Sequence, residues 1–240
     1  PLEGERIRRP DLAKTLEAIA ERGRSGFYAG NVAEALAAAV DGNITGDDLD
    51  RVQADWVEPL GIDVFGHKAW TIPPNSQGYI GLLALGIVER IGLLPPDDPE
   101  AWHLAIEAYR LAASDRDDVL ADPEAMTVAP SALVSTRRIE ELADRYSNER
   151  AADVGTARRA GGGTAFMCVT DREGMGVSLI QSNFYGIGSG ISVAGAGFLL
   201  HDRGRGFTLE EGHPNELAPG KRPLHTLSPT IWTRASGGLS

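Results

Sequence analysis

The chain changes texture at Thr164, and that change limits its fold more than any other feature. Up to Gly161-Gly162-Gly163 the sequence is alanine-rich and helix-periodic. From Thr164-Ala165-Phe166-Met167-Cys168-Val169-Thr170 onward it is glycine-rich and reads as short strands. Helices first and strands later point to an α+β or layered αββα architecture, not to alternating βαβ units. Thr164 itself has two readings. A threonine opening a strand is ordinarily just a good β-former. Behind flexible glycines it is also a candidate nucleophile: if the Gly163–Thr164 bond broke, its hydroxyl would sit beside a free α-amine able to serve as base. The glycines would permit the strained backbone of an internal acyl shift. The residues alone leave both readings open.

At 240 residues the chain can bury a sizeable core, as one domain or two intimate halves. Its 34 acidic against 23 basic residues give a formal charge of −11. That balance argues against nucleic acid or an anionic membrane as a general partner. The single cysteine, Cys168, excludes an intramolecular disulfide and a cysteine-built metal cluster. Its alternation with Phe166 on a strand predicts a buried filler. No apolar run is long enough to span a bilayer. Pro1-Leu2-Glu3-Gly4-Glu5-Arg6 carries no signal-peptide pattern. The abrupt Pro1 and the break after a strand at residues 235–240 lead us to expect a fragment, in which the compartment is not legible.

Pro10 opens a helix with Leu12, Leu16 and Ile19 on one face and Gly23 closing it. A second helix is predicted from Asn31, as its cap, to Val40, and a short capped one after Ile44-Thr45. Residues 59–72 read as strand, with a turn around Gly66-His67-Lys68. An apolar helix follows over Tyr79 to Ile91, then one from Glu100 to about Ser114 with Trp102, Ala105, Ile106, Tyr109 and Ala113 on one face. Residues 131–146 predict a further helix, and 147–163 a polar linker. Beyond Thr164, residues 166–170 and 177–182 read as strands around the turn Asp171-Arg172-Glu173-Gly174. A short strand is expected at Phe198-Leu199-Leu200, and a closing one over 227–233 interrupted by Pro229.

Several motifs have plain readings. Gly186-Ile187-Gly188-Ser189-Gly190 lacks the Lys-Ser/Thr of a phosphate loop, and Val193 stands where a dinucleotide motif needs its third glycine. A tight loop with close backbones is expected instead. The five histidines show no ligand spacing. Ser114-Asp115-Arg116-Asp117-Asp118 lacks the glycine and distal glutamate of a calcium loop, so a solvated helix end or an ion pair is expected. Lys221-Arg222-Pro223 is too short for a nucleic-acid patch.

Taken together, the segments resemble the γ-glutamyltranspeptidase family of N-terminal-nucleophile hydrolases over nearly the whole chain. Arg9-Pro10-Asp11-Leu12-Ala13, Gly26-Phe27-Tyr28-Ala29-Gly30 and Ile72-Pro73-Pro74-Asn75-Ser76-Gln77-Gly78 carry the likeness in the first half. So does the helix from Glu107-Ala108 to Ser114-Asp115-Arg116-Asp117. Most specific is the span from Thr164 to Thr230, with Gly188-Ser189-Gly190-Ile191, Gly195-Ala196-Gly197-Phe198-Leu199-Leu200 and the run from Ala218-Pro219-Gly220-Lys221-Arg222-Pro223 through Leu224-His225-Thr226-Leu227-Ser228-Pro229-Thr230.

The resemblance implies part of a four-layer αββα sandwich in one structural domain. Residues 1–163 would end a large subunit and 164–240 would begin a small one. It implies self-cleavage at Gly163–Thr164 and a heterodimer, with Thr164 as nucleophile and its freed amine as base. Ser182 falls on a hydroxyl that bonds to the nucleophile. His225 and Thr226 fall on adjacent serines that touch the substrate carboxylate. A small γ-glutamyl amide would form an acyl-enzyme, resolved by water or an amine, with no metal or organic cofactor. The family's carboxylate-binding arginine would lie before Pro1 and its oxyanion glycine pair after Ser240.

Three positions depart from the family pattern. Gly206 replaces an aspartate that grips the substrate α-amine, Phe184 an asparagine, and Phe166 a histidine. Arg203 and Arg205 would instead favour an acidic group. Ser178-Leu179-Ile180-Gln181-Ser182 and Leu224-His225-Thr226 are more similar to the cephalosporin and glutaryl acylase branch. The alternatives are therefore a purely hydrolytic acylase, or an unprocessed homologue with a structural or binding role.

Overall fold

The computed structural model describes residues 2–51, 54–155 and 164–240. In chain order the elements are α1 (Pro10–Arg22), α2 (Ser25–Tyr28), α3 (Gly30–Ala39), α4 (Gly46–Asp50), β1 (Leu60–Val64), β2 (His67–Thr71), α5 (Tyr79–Ile91) and α6 (Pro99–Ala112). Then come α7 (Arg116–Val119), α8 (Thr136–Ala143), β3 (Thr164–Thr170), β4 (Gly176–Ser182), β5 (Ser192–Val193), β6 (Phe198–Leu199) and β7 (Thr230–Arg234). Packing divides them into two compact units. One holds the described residues up to Trp56 with Asn183–Asp202; the other holds Val57 to residue 155, Thr164–Ser182 and Arg203–Ser240.

In the first unit, Pro10 opens α1, because its missing N–H is one that a first helical turn leaves unpaired anyway, and Gly23 closes it. The buried residue of α1 is Thr15, not the predicted Leu16, which is exposed. The helix meets the turn at Gly195–Gly197 backbone to backbone. A Cβ on Gly197 would lie 2.3 Å from the Leu12 nitrogen. A leucine has no room there, whereas the Thr15 hydroxyl donates to the Ala196 carbonyl at 2.8 Å. Asn31 does not cap α3: that helix starts one residue earlier, after Ala29 in extended backbone, with no side-chain cap. Thr45 and Asp48 form a reciprocal capping box at α4. Ala33, Leu36, Leu49, Val193 and Ala196 make the core, with Phe27 and Phe198 against it.

In the second unit, β1, β2 and β7 form an antiparallel sheet in that order. The turn between β1 and β2 is Phe65-Gly66, both with positive φ, so His67 and Lys68 lie in β2 and not in the turn. Helix α5 covers the predicted residues and buries Tyr79, Ile80, Leu82, Leu83 and Ile87. Helix α6 turns the other way from the expected one. Trp102, Ile106 and Tyr109 are exposed, while Leu104, Ala108, Leu111 and Ala112 are buried. Alanines let helices approach closely, so the small-residue stripe packs against α5.

Residues 131–146 are two pieces rather than one helix. A 3-10 turn over Pro130–Val134 ends at Ser135, whose hydroxyl accepts the Arg138 N–H and caps α8. Serine's preference for N-caps overrides the helical periodicity.

Strands β3 and β4 form a hairpin, with the Asp171 carboxylate accepting the Met175 N–H at 2.8 Å. All of β3 is exposed, so Cys168 is not the predicted buried filler. Strand β4 is half-buried at alternate residues and meets β7. Strand β7 starts directly after Pro229, which cannot donate to a ladder. Among the described residues no helix is long and apolar enough to cross a membrane.

Two glycines test this packing. A Cβ on exposed Gly81 meets nothing within 4 Å, whereas one on Gly26 would lie 2.0 Å from the Ala18 carbonyl oxygen. Gly81→Ala should stabilise by about 0.5–1 kcal/mol and Gly26→Ala should destabilise by more than that, read from denaturant midpoints.

Candidate active site

Thr164 begins β3 and pairs across the ladder with Ser182, the last residue of β4. Residues directly opposite in such a ladder have Cα atoms about 4.5–5.5 Å apart, with side chains on the same face. The two hydroxyl residues therefore share one face of the hairpin end. Thr164 is exposed and Ser182 half-buried. Gly163 lies outside the described residues.

A second group forms in the same compact unit. Arg203 opens a 3-10 turn over Arg203–Gly206 and is buried; its Nη1 donates to the Thr226 hydroxyl at 3.4 Å. Arg205 on the same turn is exposed. The geometry thus joins Thr164 to Ser182 and Arg203 to Thr226.

His225 enters through its backbone. Its N–H donates to the Asn75 carbonyl at 2.7 Å, and its carbonyl accepts the Gln77 N–H at 2.8 Å. Around this bridge, Asn75 Nδ2 donates to the Pro223 carbonyl at 2.6 Å and the buried Ser76 hydroxyl donates to the Leu227 carbonyl at 2.5 Å. The loop at 75–77 is therefore the mould for residues 223–227. Its polar side chains were missed as contributors, although the loop and the His225 segment both stand out as motifs. Nothing in their spacing says that they meet.

Behind the mould, Arg116 Nη1 donates to the Gln77 side-chain oxygen at 3.1 Å and its Nε to Asp117 at 2.8 Å. Arg138 pairs with Asp115 at 2.5 Å. The acidic loop is an ion-pair cluster, as one of its two readings expected. Burial, and then the Asp115 carboxylate, push the Tyr79 phenol far above its usual range, so it stays neutral. Among the described residues no group of three or more His, Cys, Asp or Glu could hold a metal.

Gly206 sits tightly. A Cβ there would lie 3.1 Å from the Leu224 carbonyl oxygen and 3.3 Å from Pro223 Cβ. Buried Asn215 ties the two strips together, donating to the Gly206 carbonyl at 2.6 Å and accepting the Leu224 N–H at 3.0 Å. Phe166 is exposed. Phe184, in the other unit, is buried at φ 79° against Tyr185, an unusual backbone for a bulky residue. At the far end of the hairpin an open groove of about 650 Å³ is lined by His67, Cys168, Thr170, Ser178, Trp232 and Leu239.

This arrangement has close counterparts. Residues 1–239 match the family model for gamma-glutamyltranspeptidase. The chain is 36% identical to the glutathione hydrolase-like YwrD proenzyme of Bacillus subtilis, over 96% of this chain and 45% of that protein. It is 36% identical to the oxamate amidohydrolase proenzyme of Klebsiella pneumoniae, over 95% of this chain and 44% of that protein. The crystal structure of cephalosporin acylase from Bacillus halodurans superposes with a TM-score of 0.89 at 36% identity, covering 99% of this chain and 44% of that one. The fold is therefore the α+β fold of the N-terminal-nucleophile hydrolases of transpeptidase and acylase type. Within that class, the chain belongs to the gamma-glutamyltranspeptidase family. It spans less than half the length of the curated relatives it matches.

The mould gives a direct test. Asn75→Ala leaves the Pro223 carbonyl without its donor and should cost about 1–2 kcal/mol in denaturant unfolding. Faster amide exchange at His225 would locate the loss at the bridge.

Proposed function

We propose that the protein carrying this chain is an amidohydrolase that cuts itself at Gly163–Thr164 and then uses Thr164 on a small amide. The observation that carries this reading is Thr164 at the first position of β3, opposite Ser182, in a chain of this family. In maturation the Thr164 hydroxyl attacks the Gly163 carbonyl carbon. The C–N bond breaks as the ester forms, which frees the Thr164 α-amine, and water then hydrolyses the ester to a Gly163 carboxylate and the Thr164 hydroxyl. In turnover that amine takes the hydroxyl proton as the oxygen attacks the substrate carbonyl, and passes it to the leaving amine. Water or an amino acceptor then releases the acyl group. Residues 1–163 and 164–240 would afterwards belong to two subunits.

The favoured substrate is a γ-glutamyl amide, with its carboxylate near Arg203, Thr226 and His225 and with Arg205 at the approach. A second reading has its own support at Gly206, where an anion for a substrate α-ammonium is absent and a Cβ would be tight. A buried ammonium left unpaired is costly. That favours an acyl group without the amine, as in a glutaryl amide. The relatives bear names for glutathione hydrolase-like, oxamate amidohydrolase and cephalosporin acylase proteins, so the scaffold accommodates such variety.

Thr164→Ala in the full-length protein should stay one chain by intact mass and lose at least about a thousandfold in turnover. A wild-type protein that stays uncut and inactive would leave the structural or binding role standing instead.

Turnover of γ-glutamyl-anilide against glutaryl-anilide separates the two substrate readings. Gly206→Asp should shift that ratio about tenfold toward the γ-glutamyl substrate, the equivalent of one modest ion pair.

A further inference from the structure

One side chain of the mould reaches past the His225 bridge to the residue beyond it. Gln77 is half-buried, and its main-chain N–H is already engaged by the His225 carbonyl at 2.8 Å. Its side-chain amide lies between two groups of opposite need. Arg116 Nη1 donates to Oε1 at 3.1 Å, and Nε2 donates to the Thr226 carbonyl at 3.4 Å. A guanidinium only donates and a peptide carbonyl only accepts, so the amide fits between them in a single orientation.

Arg116 is itself held in place. It opens α7 with its side chain 13% exposed, and Asp117 Oδ1 meets its Nε at 2.8 Å and its Nη2 at 2.7 Å. Thr226 is thereby held at two points, its carbonyl by Gln77 and its hydroxyl by Arg203 Nη1 at 3.4 Å. Two arginines from opposite sides of Thr164 converge on one threonine, Arg203 directly and Arg116 through Gln77. All four residues belong to the second compact unit.

We propose that Gln77, oriented by Arg116, is a positioning residue for recognition of the substrate carboxylate. It sets the Thr226 peptide, and with it the direction of the Thr226 hydroxyl, for acyl groups that end in an acid. The proposal rests on the reading above that Thr226 meets that carboxylate. A site in which Thr226 is correctly placed for only part of the time binds more weakly by that fraction. The chemistry at Thr164 is not touched. The effect therefore falls on KM, and only for acyl groups that carry the acid.

The test uses the full-length, self-cleaved protein with glutaryl-anilide and with butyryl-anilide, which lacks the terminal carboxylate. Gln77→Glu keeps an acceptor for Arg116, whose charge holds the new carboxyl ionised, but sets that acceptor against the Thr226 carbonyl. Gln77→Met keeps the length and removes both bonds. Thermal unfolding confirms that each variant is folded. The expected result is a KM for glutaryl-anilide raised about fivefold in both variants, the worth of one ordinary hydrogen bond. Turnover number and butyryl-anilide hydrolysis should stay within about twofold of wild type, since the hydrogen bond they lack is worth no more than that factor. A wild-type KM in Gln77→Glu beside a raised one in Gln77→Met assigns Gln77 to Arg116 alone and overturns the proposal. An unchanged KM in both also overturns it, while the substrate reading stands. An equal loss on butyryl-anilide makes Gln77 merely structural and overturns it as well. A wild-type enzyme that is inactive, or indifferent to the acyl carboxylate, sinks the substrate reading and the role of Gln77 with it.

Discussion

The pairing of β2 with β7 is the interaction on which the second unit depends. It runs in register from His67 opposite Arg234 to Thr71 opposite Thr230. The Thr71 hydroxyl reinforces it by donating to the Pro229 carbonyl at 2.9 Å. Just upstream, Asn75 and Gln77 exchange backbone bonds with His225. These contacts join residues that lie on opposite sides of Thr164, so the two stretches are sewn together by ladder hydrogen bonds and shared core. A break in the chain at Thr164 would remove no strand partner from this sheet. The covalent link matters chiefly while the chain folds, when it holds the two stretches at high effective concentration.

Helices defined by their own ends were legible in the sequence. Tyr79–Ile91 is apolar on several faces and closes at Gly92. Thr45 with Asp48 signals its cap without outside help. Elements whose orientation depends on a neighbour were not. Helix α6 offers two apolar stripes, and only the approach of α5 selects Leu104 and Ala108 over Trp102 and Ile106. Alternation placed Cys168 and Phe166 on one strand face, but alternation does not say whether a layer covers that face. Leu16 lost its place to Thr15 because a turn from the far end of the chain comes too close.

The candidate site divides along the same line. Thr164 and Ser182 were legible as single residues, and hairpin register sets them opposite one another. Asn75 and Asn215 were not, because each acts by bonding a side chain to a remote carbonyl, which leaves no periodic trace. Gly206 was visible as a missing aspartate. Only the structure adds that Leu224 and Pro223 lie close against it, so a side chain at that position would meet them at once.

The β3–β4 hairpin has a consequence of another kind. Phe166, Met167, Val169, Val177 and Leu179 are all exposed, spread over both faces of a two-stranded ribbon. A ribbon apolar on both sides is marginal by itself, because it gains little until each face meets another layer. Until then its open edge and greasy faces are available to any other chain in the same state. The stretch that carries the candidate nucleophile is therefore also the part of the molecule with the most to lose from slow assembly. Exposed apolar strands of this kind are where aggregation competes with folding while a chain assembles.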